Sequence, residues 1–362
     1  MARNRIIYQS QAVYAGPDKN ADGTFVNSET PSQLKRIQSA NYSFDIARQD
    51  VNQYGDLAAI DRVILESPTV SLDFSWYLCS FHNEDLLGFK VSAAGASLTS
   101  CLGDVLGGTA DERNYYVRIV PNGTDASSYN AATDGSKVFG IGNGFMSSYS
   151  SEASVGGLPT CSLNVEALNL AILTGKEGLC PHVNASNGQA NSVNTFSLPV
   201  ATPGTGEGLV TALKPGDITL SLPDLMGPDQ ADAKVQSYNL SFDLAREPLS
   251  KLGSKFAFAR EITFPVTVSL SVDLLVGDLK EGNLATLVSS DASIDSIAIK
   301  LNKSVNNVSN DHIAYVLKGA KLDGQSYSSS LGDNETATLN FSAQIGSTAQ
   351  TNVGLFMSGV TL

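Results

Sequence analysis

The stretch "QSANYSFDIAR", Gln38 to Arg48, decides the reading of this chain, because the chain writes it again as "QSYNLSFDLAR", Gln236 to Arg246. At an offset of 198 the two copies align without a gap from Ile37 to Leu72 against Val235 to Leu270. Those 36 positions hold 16 identities, among them Asn41, Phe44, Asp45, Arg48, Gly55, Arg62 and Val70. With each common residue type at roughly 5–9% of a sequence, chance supplies only about two or three. The block is an internal repeat.

The repeated blocks read as strands. Ala40, Tyr42, Phe44 and Ile46 alternate with Ser39, Asn41, Ser43 and Asp45, and Tyr238, Leu240, Phe242 and Leu244 alternate with Ser237, Asn239, Ser241 and Asp243. A period of two with one apolar and one polar face describes a half-buried antiparallel sheet. A second strand follows in each copy, with Val70, Leu72, Phe74 and Trp76 matched by Val268, Leu270, Val272 and Leu274. Between them "RQDVNQYG" and "REPLSKLG" each end in glycine, and a loop is expected there, with Pro248 arguing against a central strand.

A weaker echo pairs "SYSSEASVGGLPTCSLNVEAL" (Ser148 to Leu168) with "SYSSSLGDNETATLNFSAQI" (Ser326 to Ile345), aligning Leu163–Asn164 with Leu339–Asn340 after a small indel. Asn41 and Asn164 are 123 positions apart, and Asn239 and Asn340 only 101, so the first copy carries the longer middle. Helix is scarce; "VEALNLAILTGKEG" (Val165 to Gly178) is the best helical candidate and reads equally as strand. The segment 79–140 is expected to hold a decoration or contact loop, and Ala15 to Pro31 a loop or mobile arm. Pro181 to Gly216, with four prolines and "ATPGTGEG", reads as a linker. The expected organisation is all-β, with two tandem duplicated sandwich or barrel domains: residues 1–205, including an N-terminal arm and the linker, and 206–362.

Composition narrows the function. Of 362 residues only 16% are charged and the net charge is −13, with no basic run. Gripping nucleic acid needs clustered Lys and Arg, so nucleic-acid binding is not expected. "MARNRIIYQSQ" has no apolar run behind its arginines, and no stretch has the length of a membrane-spanning helix. A cytosolic site of synthesis is expected. Cys79, Cys101, Cys161 and Cys180 show no framework or CxxC spacing and read as free thiols.

No catalytic constellation is legible. His82, His182 and His312 are far apart, and Cys79/His82 and Cys180/His182 lack zinc-pair spacing. There is no GxSxG, HExxH or P-loop, and "GIGNGF" (Gly140 to Phe145) reads as a turn. "PDKNADGT" places Asp18, Asn20 and Asp22 at alternate positions. The closing bidentate Glu is missing, Glu29 being the only one near, so a solvated turn is expected. Sequons at Asn41, Asn122 and Asn239 are what a chain rich in Asn and Ser produces unselected. No catalytic, cofactor-binding or metal residue is assigned. The matched Arg48/Arg246 and Asp45/Asp243 read either as an ion pair orienting a loop at a subunit contact or as solvated charges at a strand end.

Three stretches carry a resemblance: "ARNRIIYQSQAVYAGP" from Ala2, the block from Arg36 through "LESPTVSLDFSWYL", and "FMSSYSSEASVGGLPTCSLNVEALNL" from Phe145. Together the chain resembles phage tail tube (major tail) proteins. The resemblance implies a β-sandwich or barrel domain with a long loop, whose inner sheets join neighbour to neighbour around a lumen in stacked rings. Single-domain members form six-fold rings; a tandem chain implies a trimeric pseudo-hexamer. It further implies a virion tail location, contacts with tape measure, terminator and possibly sheath proteins, transient passage of double-stranded DNA without specific binding, and no membrane or cofactor. The polar strand faces bearing Asp45 or Asp73 and Asp243 or Asp273 are expected to contribute to a non-basic wall. Phe44 and Phe242 are expected at equivalent core positions, and Arg48 and Arg246 at equivalent strand ends. A lectin-like adhesin would need an aromatic-lined pocket in each copy, and Trp76 is the only tryptophan. A tail connector or terminator keeps the virion context in another position.

Overall fold

A computed structural model of the chain describes residues 10–20, 24–93, 96–106, 111–121, 124–126, 135–184, 188–201, 218–221, 235–252, 256–257, 259–275, 294–302, 312–329, 335–347 and 349–359. The domain boundary expected near residue 205 lies outside them, as do Asp22, Asn122 and Gly253.

Eighteen strands carry the architecture. The first nine are β1 (Gln11–Pro17), β2 (Ile37–Asp45), β3 (Arg48–Val51), β4 (Asp61–Ile64), β5 (Thr69–Tyr77), β6 (Glu112–Ile119), β7 (Lys137–Ser154), β8 (Thr160–Ala167) and β9 (Asn169–Thr174). The second nine are β10 (Ile218–Ser221), β11 (Val235–Asp243), β12 (Arg246–Leu249), β13 (Ala259–Ile262), β14 (Thr267–Leu275), β15 (Ile294–Asn302), β16 (His312–Ser328), β17 (Thr336–Gln344) and β18 (Gly354–Ser358). The all-β class holds.

Each set is wired in the same way. In the first, β1 pairs β6, β6 pairs the start of β7, β9 lies on the other side of that start, and the end of β7 continues through β8 and β5 to β2. In the second, β10 pairs β15, β15 pairs the start of β16, β18 lies on its other side, and the end of β16 continues through β17 and β14 to β11. The two remaining strands of each set form a hairpin, β3 with β4 and β12 with β13.

The register repeats with the wiring. Asn41 faces Asp73 and Asn239 faces Ser271, each partner displaced by 198. The ladder slips between Ile37 and Ser39, and again between Val235 and Ser237. Likewise β7 slips between Met146 and Ser148 against β8, and β16 between Leu322 and Gly324 against β17. A one-residue bulge redirects a strand, so matching bulge positions give each set the same bend along β7 and β16. These pairings also correct the weaker echo. Leu163–Asn164 and Leu339–Asn340 are equivalent, but Asn164 faces Ser148 whereas Asn340 faces Gly324, so the two Ser-Tyr-Ser runs lie two residues out of step.

The apolar faces pack into one buried cluster running through both sets, from Val70, Leu72, Phe74 and Trp76 to Val268, Leu270, Val272 and Leu274. The 79–106 segment joins it. Two short helices, α1 (His82–Leu87) and α2 (Gly103–Leu106), bury Phe81, Leu87, Phe89, Leu102 and Val105, and Val91–Ser92 pairs in parallel with β18. Within the 79–140 segment expected to hold a decoration or contact loop, 79–106 thus clamps the first half onto the second, while 107–110, 122–123 and 127–134 lie outside the described residues.

Other loop expectations are also corrected. "GIGNGF" is no turn but the interior of β7, bulged between Ile141 and Gly144 with Asn143 at φ 55°. Glycine is required there because Pro181 and His182 cross directly above: a Cβ on Gly142 would lie 2.4 Å from the Pro181 carbonyl oxygen. Gly142→Ala is therefore expected to destabilise by about 1–3 kcal/mol, read as a shift in the denaturant midpoint at unchanged slope. The supposed linker continues as cover, with Phe196, Leu198 and Ala201 buried against Tyr14, Tyr116 and Val138 in a second, smaller cluster. The supposed arm at 15–31 contains the end of β1 and a short strand Ser28–Glu29 paired to Thr195–Ser197. Val165–Gly178 forms strands, not helix. "RQDVNQYG" and "REPLSKLG" begin as hairpin strands, with Gly55 at φ 99° in the first connection. Pro248 sits in a two-stranded hairpin, where a missing donor is tolerated.

Candidate functional site

The feature that sets this molecule apart is the seam between its halves. The end of β7 already pairs β8 on one side, and on its other side it takes up β11: Ser148 faces Asp243, Tyr149 faces Phe242, Ser150 faces Ser241 and Glu152 faces Asn239. Two four-stranded sheets thus become one of eight strands, in the order β2, β5, β8, β7, β11, β14, β17, β16.

One face of this sheet is polar from edge to edge. Its side chains bond sideways, across the strands. Ser39 and Ser75 hydroxyls lie 2.6 Å apart, Ser43 and Ser71 2.8 Å, and Ser150 and Ser162 2.7 Å. Asn41 donates to Asp73 at 2.7 Å, Asn164 to Ser148 at 2.8 Å, and Thr338 and Ser237 both to Asp273 at 2.5 Å. Six carboxylates lie on these rows: Asp45, Asp73, Glu152, Glu166, Asp243 and Asp273. Lys321, opposite Ser342 at one rim, is the one basic side chain on them among the described residues. The aspartates expected to line a non-basic wall therefore share one continuous surface.

The seam separates residues that the sequence makes equivalent. Phe242 is 3% exposed, its ring 5.5 Å from Tyr149 and 6.1 Å from Phe89, whereas Phe44 is 62% exposed. The two hold equivalent register positions, Phe44 opposite Val70 and Phe242 opposite Val268, but within one chain only Phe242 is covered, because β7 lies beside β11 and no second strand lies beside β2 among the described residues. The arginines diverge for the same reason. Arg246 is buried and bonds Asp111 through both terminal nitrogens, the Met146 carbonyl, and the Arg260 carbonyl, with the Phe145 ring 5.1 Å away. Arg48 is exposed. Arg246 is anchored within the chain by Asp111, not Asp243, and Arg48 stands as a solvated charge at a strand end. The hairpin following Arg48 is exposed throughout, with Tyr54 and Leu57 fully outside the surface.

Beneath the seam lies a buried polar knot. Trp76 Nε1 donates to Glu84 Oε1 at 3.3 Å, and the Tyr149 hydroxyl reaches the same oxygen at 3.2 Å and the Tyr315 hydroxyl at 2.7 Å. Burial raises the Glu84 carboxyl to about 7, against the opposing effect of these bonds. Trp76, 1% exposed, is part of this core and lines no open pocket.

The turn at Asp18 differs from expectation. Lys19 and Phe25 form an antiparallel bridge, but Asp18 is buried, accepts from Asn114 at 2.8 Å and lies 3.0 Å from His182 Nδ1. Glu29 joins it, accepting from Asn114 and Tyr116, and burial raises its carboxyl to about 7. Nothing in the spacing of 18, 29, 114 and 182 could have announced this group, because three separate strand pairings bring it together. Among the described residues no group of His, Cys, Asp and Glu is arranged to hold a metal ion. All four cysteines are free and buried. Among the described residues no helix is long and apolar enough to cross a membrane.

No protein-family model and no curated protein matches the chain. A solved structure described as "Virion of native gene transfer agent (GTA) particle" is similar to it at a TM-score of 0.25 and 10% identity, over 40% of this chain and 98% of that one.

Proposed function

We propose that this chain is a structural protein of a virion tail: a tube subunit in which each half fills one of six similar places in a ring of three chains. The observation that carries the reading is the seam. Two equivalently wired units are joined edge to edge into one sheet, and the same mode of joining, repeated between chains, closes a ring.

The dimensions agree. Three chains contribute about twenty-four strands; at ~4.8 Å spacing and ~40° tilt they close at roughly 48 Å across the backbone. Side chains on both walls leave roughly 30–35 Å, room for a duplex whose grooves imply a width of about 20 Å. Two chains would leave roughly the duplex width itself. The polar face suits the inner wall. A duplex carries one negative charge per ~1.7 Å, so a wall lined by hydroxyls, amides and carboxylates holds it weakly and lets it pass. The apolar faces, in turn, are needed for the core.

This role requires no catalytic centre and no cofactor. Its partners are further copies of the chain and the tail proteins at the ends of the tube, a tape measure and a terminator, with a sheath where the tail contracts. Negative-stain microscopy of the purified chain tests it. Rings or tubes with a central hole are expected. Dispersed monomers at micromolar concentration would overturn it, and single rings that never stack would assign the chain to a connector or terminator.

A further inference from the structure

The ring reading leaves the contact between chains undefined, and the internal seam defines it. We propose that the open edge of β2 pairs antiparallel with the open edge at the end of β16 in a second copy of this chain. The register sets Asp45 opposite Gly324, Phe44 opposite Gln325, Ser43 opposite Ser326, Tyr42 opposite Tyr327 and Asn41 opposite Ser328. This deepens the proposed function and rests on it only for closure of the ring.

Three observations carry the register. First, the internal seam joins the end of β7 to β11, and the corresponding edges on β16 and β2 pair β17 and β5 respectively but have no second strand among the described residues. Shifting the internal pairs by 176 along β7 to β16, and by 198 back from β11 to β2, yields the pairs above. Second, bulges at matching positions bend both edges alike: β2 slips after Ile37 as β11 does after Val235, and β16 slips after Leu322 as β7 does after Met146. A strand shaped for one seam therefore fits the other. Third, both edges carry apolar surface in need of cover. Phe44 is 62% exposed and Tyr327 58% exposed, both on the core side of the sheet, where Phe242 is shielded by Tyr149 in the internal seam. Neither Ile37–Asp45 nor 322–328 contains the Lys or Pro with which free edges are usually blunted.

The two seams are similar but not the same. Gln325 stands where Tyr149 covers Phe242, and Tyr327 stands where Ser151 faces Leu240. The aromatic contact thus moves two residues along the ladder, from Tyr149 on Phe242 to Tyr327 on Tyr42. Lys321 replaces Phe145, so Arg48 lacks the ring that receives Arg246. The seam between chains is accordingly the weaker and reversible one.

Single-cysteine chains test the register. Ser43→Cys and Ser326→Cys both fall on exposed side chains, and the native thiols are buried. Mixed at assembling concentration and treated with a short bifunctional thiol reagent, these variants are expected to give a mixed covalent dimer. Ser39→Cys with Ser326→Cys, about 13 Å out of register at ~3.3 Å per residue, is expected to give at least about tenfold less. Equal or greater linking of the second pair overturns the register, and absence of linking in both overturns the seam. Rings without the Ser43–Ser326 link would refute the seam and leave the tube reading standing. The link without rings or tubes would do the reverse.

Discussion

Phe242→Ala is expected to destabilise the monomer by about 3–5 kcal/mol and Phe44→Ala by less than about 0.5 kcal/mol, although the two phenylalanines occupy the same place in one repeated sentence. Phe242 is nearly sealed, with Tyr149 and Phe89 against its ring, and a truncated side chain there leaves a cavity that a stiff double sheet cannot close. Phe44 has solvent over most of its surface. The order of effects inverts for assembly. Phe44→Ala removes apolar cover from the open edge and is expected to raise the concentration needed for ring formation about tenfold, the equivalent of ~1.4 kcal/mol. Urea unfolding at a concentration below assembly reads the first effect, and sedimentation across a dilution series reads the second. Equal losses of monomer stability would show that β2 is not an open edge.

The second large effect is a pH dependence that Glu84→Gln removes. Burial holds the folded carboxyl near 7, above its value in the unfolded chain. Below about pH 4.5 both states are protonated and the group contributes nothing. As pH rises from there, the unfolded chain releases its proton while the folded chain keeps it, so stability falls, levelling off above pH 7. The total loss is about 3 kcal/mol. Gln keeps an oxygen for Trp76 and Tyr149 and cannot ionise, so the variant is expected to match the parent near pH 4.5 and exceed it by up to about 3 kcal/mol at pH 8. Glu29 adds a slope of the same sign to both proteins, so the quantity to read is the difference between parent and variant, by denaturant unfolding at the two pH values. A difference independent of pH would place the Glu84 proton elsewhere.

The parts of the fold legible from sequence were those governed by the two-residue period. The faces of β2, β5, β11 and β14 follow from alternation, and burial agrees wherever both neighbours are present. What alternation cannot encode is which strand lies alongside. Phe44 and Phe242 share a pattern and differ in neighbour, so their burial was not readable. The same limit hid the clamp at 79–106, whose strand Val91–Ser92 pairs with β18 far along the chain, and the group of Asp18, Glu29 and His182, assembled by pairings among β1, β6 and β7. "GIGNGF" misled because glycine serves turns and close approaches alike; the segment that needs the space, Pro181–His182, lies about forty residues on. Of the candidate interface, the polar rows with Asp45 and Asp273 were legible, but the seam that makes one surface of them was not.

The clamp bears on heredity as well as on packing. An exchange within the repeated block, where 16 of 36 positions match, would delete one unit. Such a product would keep β2 and everything after β14, but would lose Phe81, Leu87, Phe89, Leu102 and Val105, which exist only in the first unit's middle and cover β18 and the seam. The remaining core would keep Ile297, Ile299, Tyr315, Leu317 and Leu355 but lose that part of its apolar cover. The clamp thus ties the halves together: residues 79–106 belong to one unit and cover the other.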